Sequence, residues 1–351
     1  MTTTKIGNLM VVVAVDLEPK LFDKIASTVS GSGYSSVQQF LVAAAWNQLT
    51  LDRTVPTASD TGPTTMPRHA QGVEASVTLS GSWRSRVERI DPGALGTLPL
   101  PDRLEDPAAL LWGQTNRVLP IAVGIRVLAN LLAERGASSI RLDEWHPEAA
   151  SVAQAMRPEL RAWDAAAGRK RGELWETAFP KADSGSAERF MAQFLGSPRR
   201  DGTSEGGAIF LGFAAFPEGR TSEITLTTSG AHWASFENPI FDGDAPTATF
   251  SAEETMFFLD HLRKYRPGEL SFLATVAALV RQGKSRSELD DELPALFPQW
   301  ANHVPTMRAG AIGRLSDLGL LGRERQGLTV EYHLTALADQ AGLVEDQSSL
   351  R

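Results

Sequence analysis

The sequence predicts a mainly α-helical protein with small β elements, an α+β class, and three observations support this. Residues 1–52 follow the order strand, helix, glycine turn, helix. Much of the rest of the chain contains two copies of one pattern, in which a helix leads into two short strands and a further helix. The composition, 42% hydrophobic and 22% charged, is ordinary for a globular chain, and 351 residues suggest two or three domains.

The charge balance and the absence of cysteine limit the functions open to the chain. Its 34 Lys and Arg residues against 42 Asp and Glu residues give a net charge of −8, which argues against coating of nucleic acid through bulk charge. A site-specific binder with local basic patches stays open. With no cysteine, disulfides, thiolate catalysis and cysteine-containing metal sites are excluded. The six histidines never show the i, i+4 spacing of a helical metal pair, so no metal or other cofactor is expected.

The N-terminal region begins with a β-branched segment, residues 8–17, that predicts a strand. Glu18 and Pro19 suit the first turn of a helix, which ends at the glycines of residues 31–33. Ser35 or Ser36 then caps a second helix with an apolar stripe. This order predicts a βαα unit over residues 1–52.

Residues 16–49 of this unit resemble a ribbon-helix-helix protein. In that family two chains pair their strands into a ribbon that enters the major groove, so the resemblance implies dimerisation and a homo-oligomer. The strand itself lacks side chains that read base edges, and Lys5 with the leading threonines supplies the nearest polar donors. The alternative is a βαα element whose strand is buried on both faces.

Residues 53–105 are predicted to be a flexible linker. Residues 54–82 are dense in Thr, Ser, Pro and Gly and carry few large apolar side chains. Residues 83–89 then place three arginines beside Trp83, a combination that suits contact with phosphates or bases. A solvated face with one packed ring is the alternative interpretation.

An internal repeat is the most informative feature of the sequence. Leu211-Gly212-Phe213 and Leu318-Gly319-Leu320 each end a helix and begin a strand. The second strand ends in Leu-Thr in both copies, at Leu226-Thr227 and Leu334-Thr335, and leads into another helix. Two copies of one supersecondary unit in a chain are unlikely to arise by accident.

The second copy, within residues 237–345, resembles a winged helix. Helices are predicted at 270–281, 285–296 and 306–318, followed by a wing at 320–334. In that family the third helix commonly lies in the major groove and the wing contacts the DNA backbone or the minor groove. The resemblance therefore implies DNA-binding roles for residues of the third helix and of the wing: His303, Thr306, Arg308, Arg314, Arg323 and Arg325.

The first copy, within residues 106–236, matches more loosely. Its first helix is predicted at 119–133, a helical insertion with several basic residues follows at 142–179, and the candidate groove helix spans 186–195. The resemblance assigns DNA contact to Arg189, Arg199 and Arg200. The basic run at 157–171 is interpreted as a solvated helix face.

These observations predict a non-enzymatic DNA-binding protein: a transcriptional regulator, or the DNA-recognition subunit of a plasmid-maintenance or phage-defence system. The alternatives are an oligomeric protein-interaction scaffold and a sensor of modified DNA. Nucleotide-binding, hydrolase and zinc-protease motifs are lacking. The segment Asp242-Gly243-Asp244, with its two carboxylates, is interpreted as a turn. With no membrane-length apolar segment, the chain is expected to be cytoplasmic and nucleoid-associated, with double-stranded DNA as its partner.

Overall fold

The structure of the chain is a computed structural model. It describes the backbone of residues 2–6 and 9–13, and residues 82–344 except for 101–103, 105, 107, 171, 199–203 and 327–328. The chain divides into two compact units, Met1–Ser76 and Val77–Arg351. The described part is mainly helical with small sheets, as the sequence predicts.

The described part of the first unit is an antiparallel hairpin. Strand β1 (Thr2–Ile6) pairs with β2 (Leu9–Val13), so that Thr2 faces Val13 and Ile6 faces Leu9. The predicted strand at 8–17 therefore pairs within its own chain. The two helices predicted over residues 18–49, and residues 54–81 of the predicted linker, lie outside the described residues.

The first repeat lies in the second unit and is built around helix α1, which is buried through most of its length because other elements pack on all its sides. Three of its strands form one sheet in the order Ile140–Arg141, Glu223–Leu226, Ala214–Ala215, and two further strands pair separately. The elements in chain order are α1 (Leu119–Arg135), β3 (Ile140–Arg141), α2 (Leu142–Ala166), α3 (Ser184–Phe190) with a π-helical turn (Met191–Leu195), β4 (Ser197–Pro198), β5 (Ser204–Glu205), α4 (Gly207–Phe210), β6 (Ala214–Ala215), β7 (Glu223–Leu226) and α5 (Thr228–Ser235).

The second repeat follows two connecting helices and contains a two-stranded hairpin before its last helix. Each helix predicted in this repeat is present within a few residues of its predicted bounds. The elements are α6 (Pro239–Asp242), α7 (Ala252–Tyr265), α8 (Pro267–Arg281), α9 (Arg286–Leu296), α10 (Val304–Asp317), β8 (Leu321–Gln326), β9 (Thr329–Leu334) and α11 (Ala336–Gln340). No helix of the described residues is long and apolar enough to cross a bilayer.

Equivalent hydrogen bonds tie the two strands together in both repeats. Thr227 Oγ1 donates to the Gly212 carbonyl at 2.7 Å, and Thr335 Oγ1 donates to the Gly319 carbonyl at the same distance. Each threonine also caps the helix that follows it. Both glycines have positive φ, 75° and 69°, which favours glycine at the end of a helix. The repeat seen in the sequence is therefore a structural repeat.

Residues 82–100 pack against other parts of the second unit, although they fall within the predicted linker. Trp83 is buried, and its Nε1 donates to Glu159 at 2.8 Å. Arg84 donates to the Phe241 carbonyl, and Arg86 pairs with Glu134 and Glu148 at 2.6 Å each. The cluster of arginines beside Trp83 thus anchors this segment to helices of the first repeat and to α6.

A buried carboxyl group joins α7 to the connection before it. Glu254 is 2% exposed, accepts two hydrogen bonds from Asn238 Nδ2 at 3.0 Å and accepts another from the Ser251 backbone N–H. Burial raises the pKa of Glu254 to about 7, against the opposing effect of these donors. The buried His261 ring stacks on Phe213, and burial lowers the pKa of His261 to about 4.

We expect the Glu254 carboxyl to weaken the fold as pH rises from about 5 to above 7. Its folded-state pKa lies above its unfolded value, so the folded state binds more protons in this window and its stability falls with rising pH. His261 acts in the opposite direction between about pH 4 and 6.5, because its folded-state pKa is lowered. Urea unfolding of wild type and Glu254→Gln, compared pH by pH, separates the two effects. The difference in unfolding free energy between the wild type and Glu254→Gln should change by on the order of 1–3 kcal/mol across the window. A difference that stays constant with pH would contradict the expectation.

Candidate nucleic-acid interface

The N-terminal end of α10 carries two of the predicted DNA-binding residues. His303 precedes the helix and is exposed, and Thr306 lies in its first turn and is half-buried. Pro305 in this turn fits the helix start, since the missing N–H would have no intrahelical partner there. His303 therefore lies at the surface, and Thr306 lies partly at it.

One side of α10 is covered by residues 110–118, which we call the strap. A Cβ on Gly113 would lie 2.2 Å from the Thr306 carbonyl oxygen, and one on Gly310 would lie 2.6 Å from the Gly113 Cα. A Cβ on Gly313 would lie 2.3 Å from the Asn116 carbonyl oxygen. Such distances require glycine, so the backbones of the strap and of α10 are in direct contact.

Arg308 is directed into the protein. It is 3% exposed, and its Nε lies 2.6 Å from Asp290 Oδ1 on α9. The residue predicted to read base edges from the first turns of α10 instead connects two helices of the second repeat in this structure.

Arg314 lies deeper and holds the strap in place. It is 1% exposed, its Nη2 lies 2.8 Å from Glu269 Oε1 on α8, and its Nη1 donates to the Thr115 carbonyl at 2.8 Å. Glu269 is equally buried and accepts a hydrogen bond from the Leu111 N–H at 2.8 Å. This ion pair joins α8, α10 and the strap, and it leaves Arg314 without access to a ligand in this structure.

Asp317, at the end of α10, caps α1 of the other repeat. Its Oδ2 accepts from the N–H groups of Val118 and Leu119 at 2.7 and 2.8 Å, and its Oδ1 lies 3.2 Å from Arg117 Nη1. The residue just before α1, Val118, provides no side-chain cap of its own. The strap and both repeats are therefore joined by buried charged side chains.

On the hairpin β8–β9, which the sequence predicts as a wing, the side chain of Arg323 is 21% exposed and lies 3.5 Å from Glu173. The backbone of Arg325 pairs with Val330, while its side chain lies outside the described residues. Of these two residues predicted to contact DNA, Arg323 is the one whose side chain is described, and it faces Glu173 of the first repeat.

The predicted contacts of the first repeat and of the N-terminal region are described only in part. Arg189 on α3 is exposed, and no ion pair involves it among the described residues. Arg199 and Arg200 lie outside the described residues. The backbone of Lys5 pairs with Met10 in the N-terminal hairpin, and its side chain is not described.

The strap brings the candidate groove helices of the two repeats to one surface. Gln193, in the turn after α3, donates from Nε2 to Gln114 Oε1 at 3.1 Å, and its carbonyl accepts from Thr115 Oγ1. On the other side, the Trp112 ring centroid lies 5.1 Å from that of His303 and 6.0 Å from that of Trp300. We call this set the strap surface: Trp112, Gln114, Gln193, Trp300 and His303.

Sequence reasoning found only His303 in the strap surface. Gln193 lies within the candidate groove helix at 186–195 but was not among its predicted contacts. Trp112, Gln114 and Trp300 lie outside the elements that the winged-helix resemblance assigns to DNA contact. Their one sequence signal is the pair Gly310 and Gly313 on α10, because glycines three residues apart on a helix indicate close approach of another segment.

Most described arginines form ion pairs within the chain. In the basic run at 157–171, Arg157 and Arg161 share Glu176, while Arg169 pairs with Asp164 and lies 3.4 Å from the Trp175 ring centroid. Asp242, one of the two carboxylates of the predicted Asp-Gly turn, accepts from the Asn238 N–H and pairs with Arg126. Positive charge available for phosphate contacts is therefore limited in the described residues.

Comparison with known proteins adds no relative. A scan against protein-family models, a search of curated proteins and a search of solved structures each found no match to the chain.

Proposed function

We propose that the chain is a non-enzymatic DNA-binding protein whose two repeats act as winged-helix units. The observation that carries the proposal is the plan that the ends of the two repeats share: a helix that ends at Leu-Gly leads into two antiparallel strands, and a threonine after the second strand bonds back to that glycine and begins a closing helix. In the first repeat the strands β4 and β5 and the short helix α4 lie between α3 and this end. In the first repeat the sheet order β3-β7-β6 also fits a winged helix, in which the strand after the first helix pairs with the last strand.

The strap surface supports contact with nucleic acid at the ends of both candidate groove helices. Glutamine side chains can hydrogen-bond base edges in the major groove, and exposed arginines neutralise phosphates. Gln114, Gln193 and His303 supply the polar groups, and Arg189 lies one helical turn before Gln193. The α10 face that remains exposed carries only small side chains, so the ends of the helices are the better contact points.

The role that we propose is that of a transcriptional regulator or of the DNA-recognition subunit of a plasmid-maintenance or phage-defence system. Dimerisation through the ribbon-helix-helix-like residues 1–52 belongs to the same proposal. A regulator needs no catalytic group, and the buried carboxylates described above are all used in structural contacts.

The test is binding of the full chain to labelled mixed-sequence duplex DNA, measured by fluorescence anisotropy across a salt series. Affinity should fall as salt rises, and Arg189→Ala should reduce the slope of log K against log salt by about 1. Arg263→Ala is the matched control, since this exposed arginine on α7 pairs, among the described residues, with the nearby Asp260 and lies outside both repeats. Absence of binding at low salt would refute the proposal.

A protein-interaction scaffold is the second candidate, and the internal pairing of the arginines favours it. A chain that uses its cations in its own ion pairs has fewer to offer to phosphates. Winged helices that bind proteins need no such charge. The same titration separates the candidates, because a scaffold shows no salt-dependent DNA binding and no effect of Arg189→Ala.

A further inference from the structure

Trp112 is held at the surface by its neighbours on both sides. The Leu111 N–H is bonded to buried Glu269, and Gly113 packs against the Thr306 carbonyl. Trp112 between them is 36% exposed. Because both flanking residues are fixed, the exposed part of the indole is presented to a ligand at a low cost in conformational entropy, and such preorganisation favours binding.

The rings around Trp112 do not stack in parallel on it. The Trp300 ring is inclined to it by 49°, and the His303 ring meets it at 73°. His303 is itself exposed and Trp300 is half-buried. The three rings thus form an open aromatic cluster, and a flat aromatic ligand could stack on the indole in the parallel geometry that no described neighbour adopts.

Gln114 lies two residues after Trp112 on the strap, and together with Gln193 it offers hydrogen-bonding groups beside this cluster. The bond between Gln193 Nε2 and Gln114 Oε1 uses one donor and one acceptor. Among the described residues, it leaves the Gln114 side-chain nitrogen Nε2 and the Gln193 side-chain oxygen Oε1 for another partner. If the oxygen and nitrogen positions of both side-chain amides are exchanged, one donor and one acceptor again remain for a ligand. A donor next to an acceptor matches the edge of a nucleobase.

The charges around the strap favour a base over a phosphate. Arg117, Arg308 and Arg314 lie closest to it along the strap and α10, and all three are buried in ion pairs. Stacking on an aromatic ring needs no cation and accepts every base. A base within a regular duplex has both faces covered by its neighbours, whereas an unpaired base can leave the stack.

We propose that the strap surface binds an unpaired nucleobase, which stacks on Trp112 and bonds to the Gln114–Gln193 pair through its edge. This inference rests on the proposed DNA-binding function and specifies its ligand: DNA with a displaced, bulged or single-stranded base. RNA carries the same chemistry, and the experiment separates the two.

The experiment measures anisotropy of four labelled probes with the full chain: a perfect duplex, the same duplex with one bulged base, single-stranded DNA and single-stranded RNA of that sequence. The bulged duplex should bind at least about 5-fold more tightly than the perfect one. Trp112→Ala should remove this preference, and Trp112→Phe should keep most of it because a ring face remains. The single-stranded probes show which nucleic acid supplies the base.

Equal binding of the bulged and perfect duplexes by the wild type overturns the inference, and it leaves the proposed function standing if Arg189→Ala still lowers the salt slope. An unchanged preference in Trp112→Ala overturns it as well. Absence of binding to every probe removes both the inference and the proposed function. If Trp112→Ala does not fold, as judged by circular dichroism, the wild-type comparison and Trp112→Phe decide the question.

Discussion

Replacing Arg314 with alanine should lower the free energy of unfolding by roughly 3–5 kcal/mol. The substitution removes the cation that Glu269 faces at 2.8 Å, and both side chains are 1% exposed, so the carboxylate would be left buried without its partner. The Thr115 carbonyl would also lose its donor. Since small domains are stable by only about 5–15 kcal/mol, this loss is a large fraction of the total. Urea denaturation followed by circular dichroism measures it.

Replacing the arginine of an exposed ion pair with alanine provides the control. Arg281 on α8 pairs with Asp339 with side chains 35% and 64% exposed, and Arg281→Ala should cost at most about 1 kcal/mol. The double variant Arg314→Met, Glu269→Gln should lose less than the sum of the two single changes, because it leaves no buried charge unpaired. A loss below about 1 kcal/mol for Arg314→Ala would show that the ion pair does not hold the strap.

In the part of the chain that the structure describes, the sequence predicted the helices of both repeats and the strands β6 to β9 well, because local signals determine them. Ser285 caps α9 through a capping box with Glu288, and Pro267 begins α8. Leu-Gly and Leu-Thr mark equivalent turns in both repeats. Such signals lie within a few residues of the structure that they determine, so a single sequence reveals them.

The environment of Arg314 could not be predicted in this way. The apolar spacing of Ile312, Leu315 and Leu318 defines one buried face of α10 and leaves Arg314 on another, where solvent is the default expectation. The strap buries that second face, and its contact with Arg314 joins residues 199 positions apart. Contacts between residues so far apart produce no periodic pattern in the sequence. The glycines of α10 were the only nearby residues that indicated them.

The sequence shows that Arg308 and the arginines beside Trp83 carry charge, but it does not show which acidic side chains they pair with. Asp290, Glu134 and Glu148 lie on other helices, and their side chains meet these arginines only after folding. A count of positive residues in a segment therefore overestimates the charge that the segment offers to phosphates. In this chain the tertiary ion pairs decide which arginines remain available.

Replacing Asp317 with alanine should be the second large loss of stability, roughly 2–4 kcal/mol. Three buried groups would lose their acceptor: the N–H groups of Val118 and Leu119, and the Arg117 guanidinium. Asp317→Asn should lose less, because it keeps an oxygen for the helix start but not the charge opposite Arg117. Asp260→Ala is the control, since Asp260 is 67% exposed and pairs only with Arg263.

The position of Asp317 makes this variant informative about more than stability. Its carboxylate joins the last turn of α10 in one repeat to the first turn of α1 in the other, across the end of the strap. Its loss should therefore make the amides of the strap and of the first turn of α1 exchange hydrogen faster, while those of β8 and β9 change little. Hydrogen exchange measured by mass spectrometry tests this difference. Uniform acceleration in all of these segments would instead mean that strap and repeats open as one cooperative unit, and that Asp317 stabilises the whole unit rather than the strap.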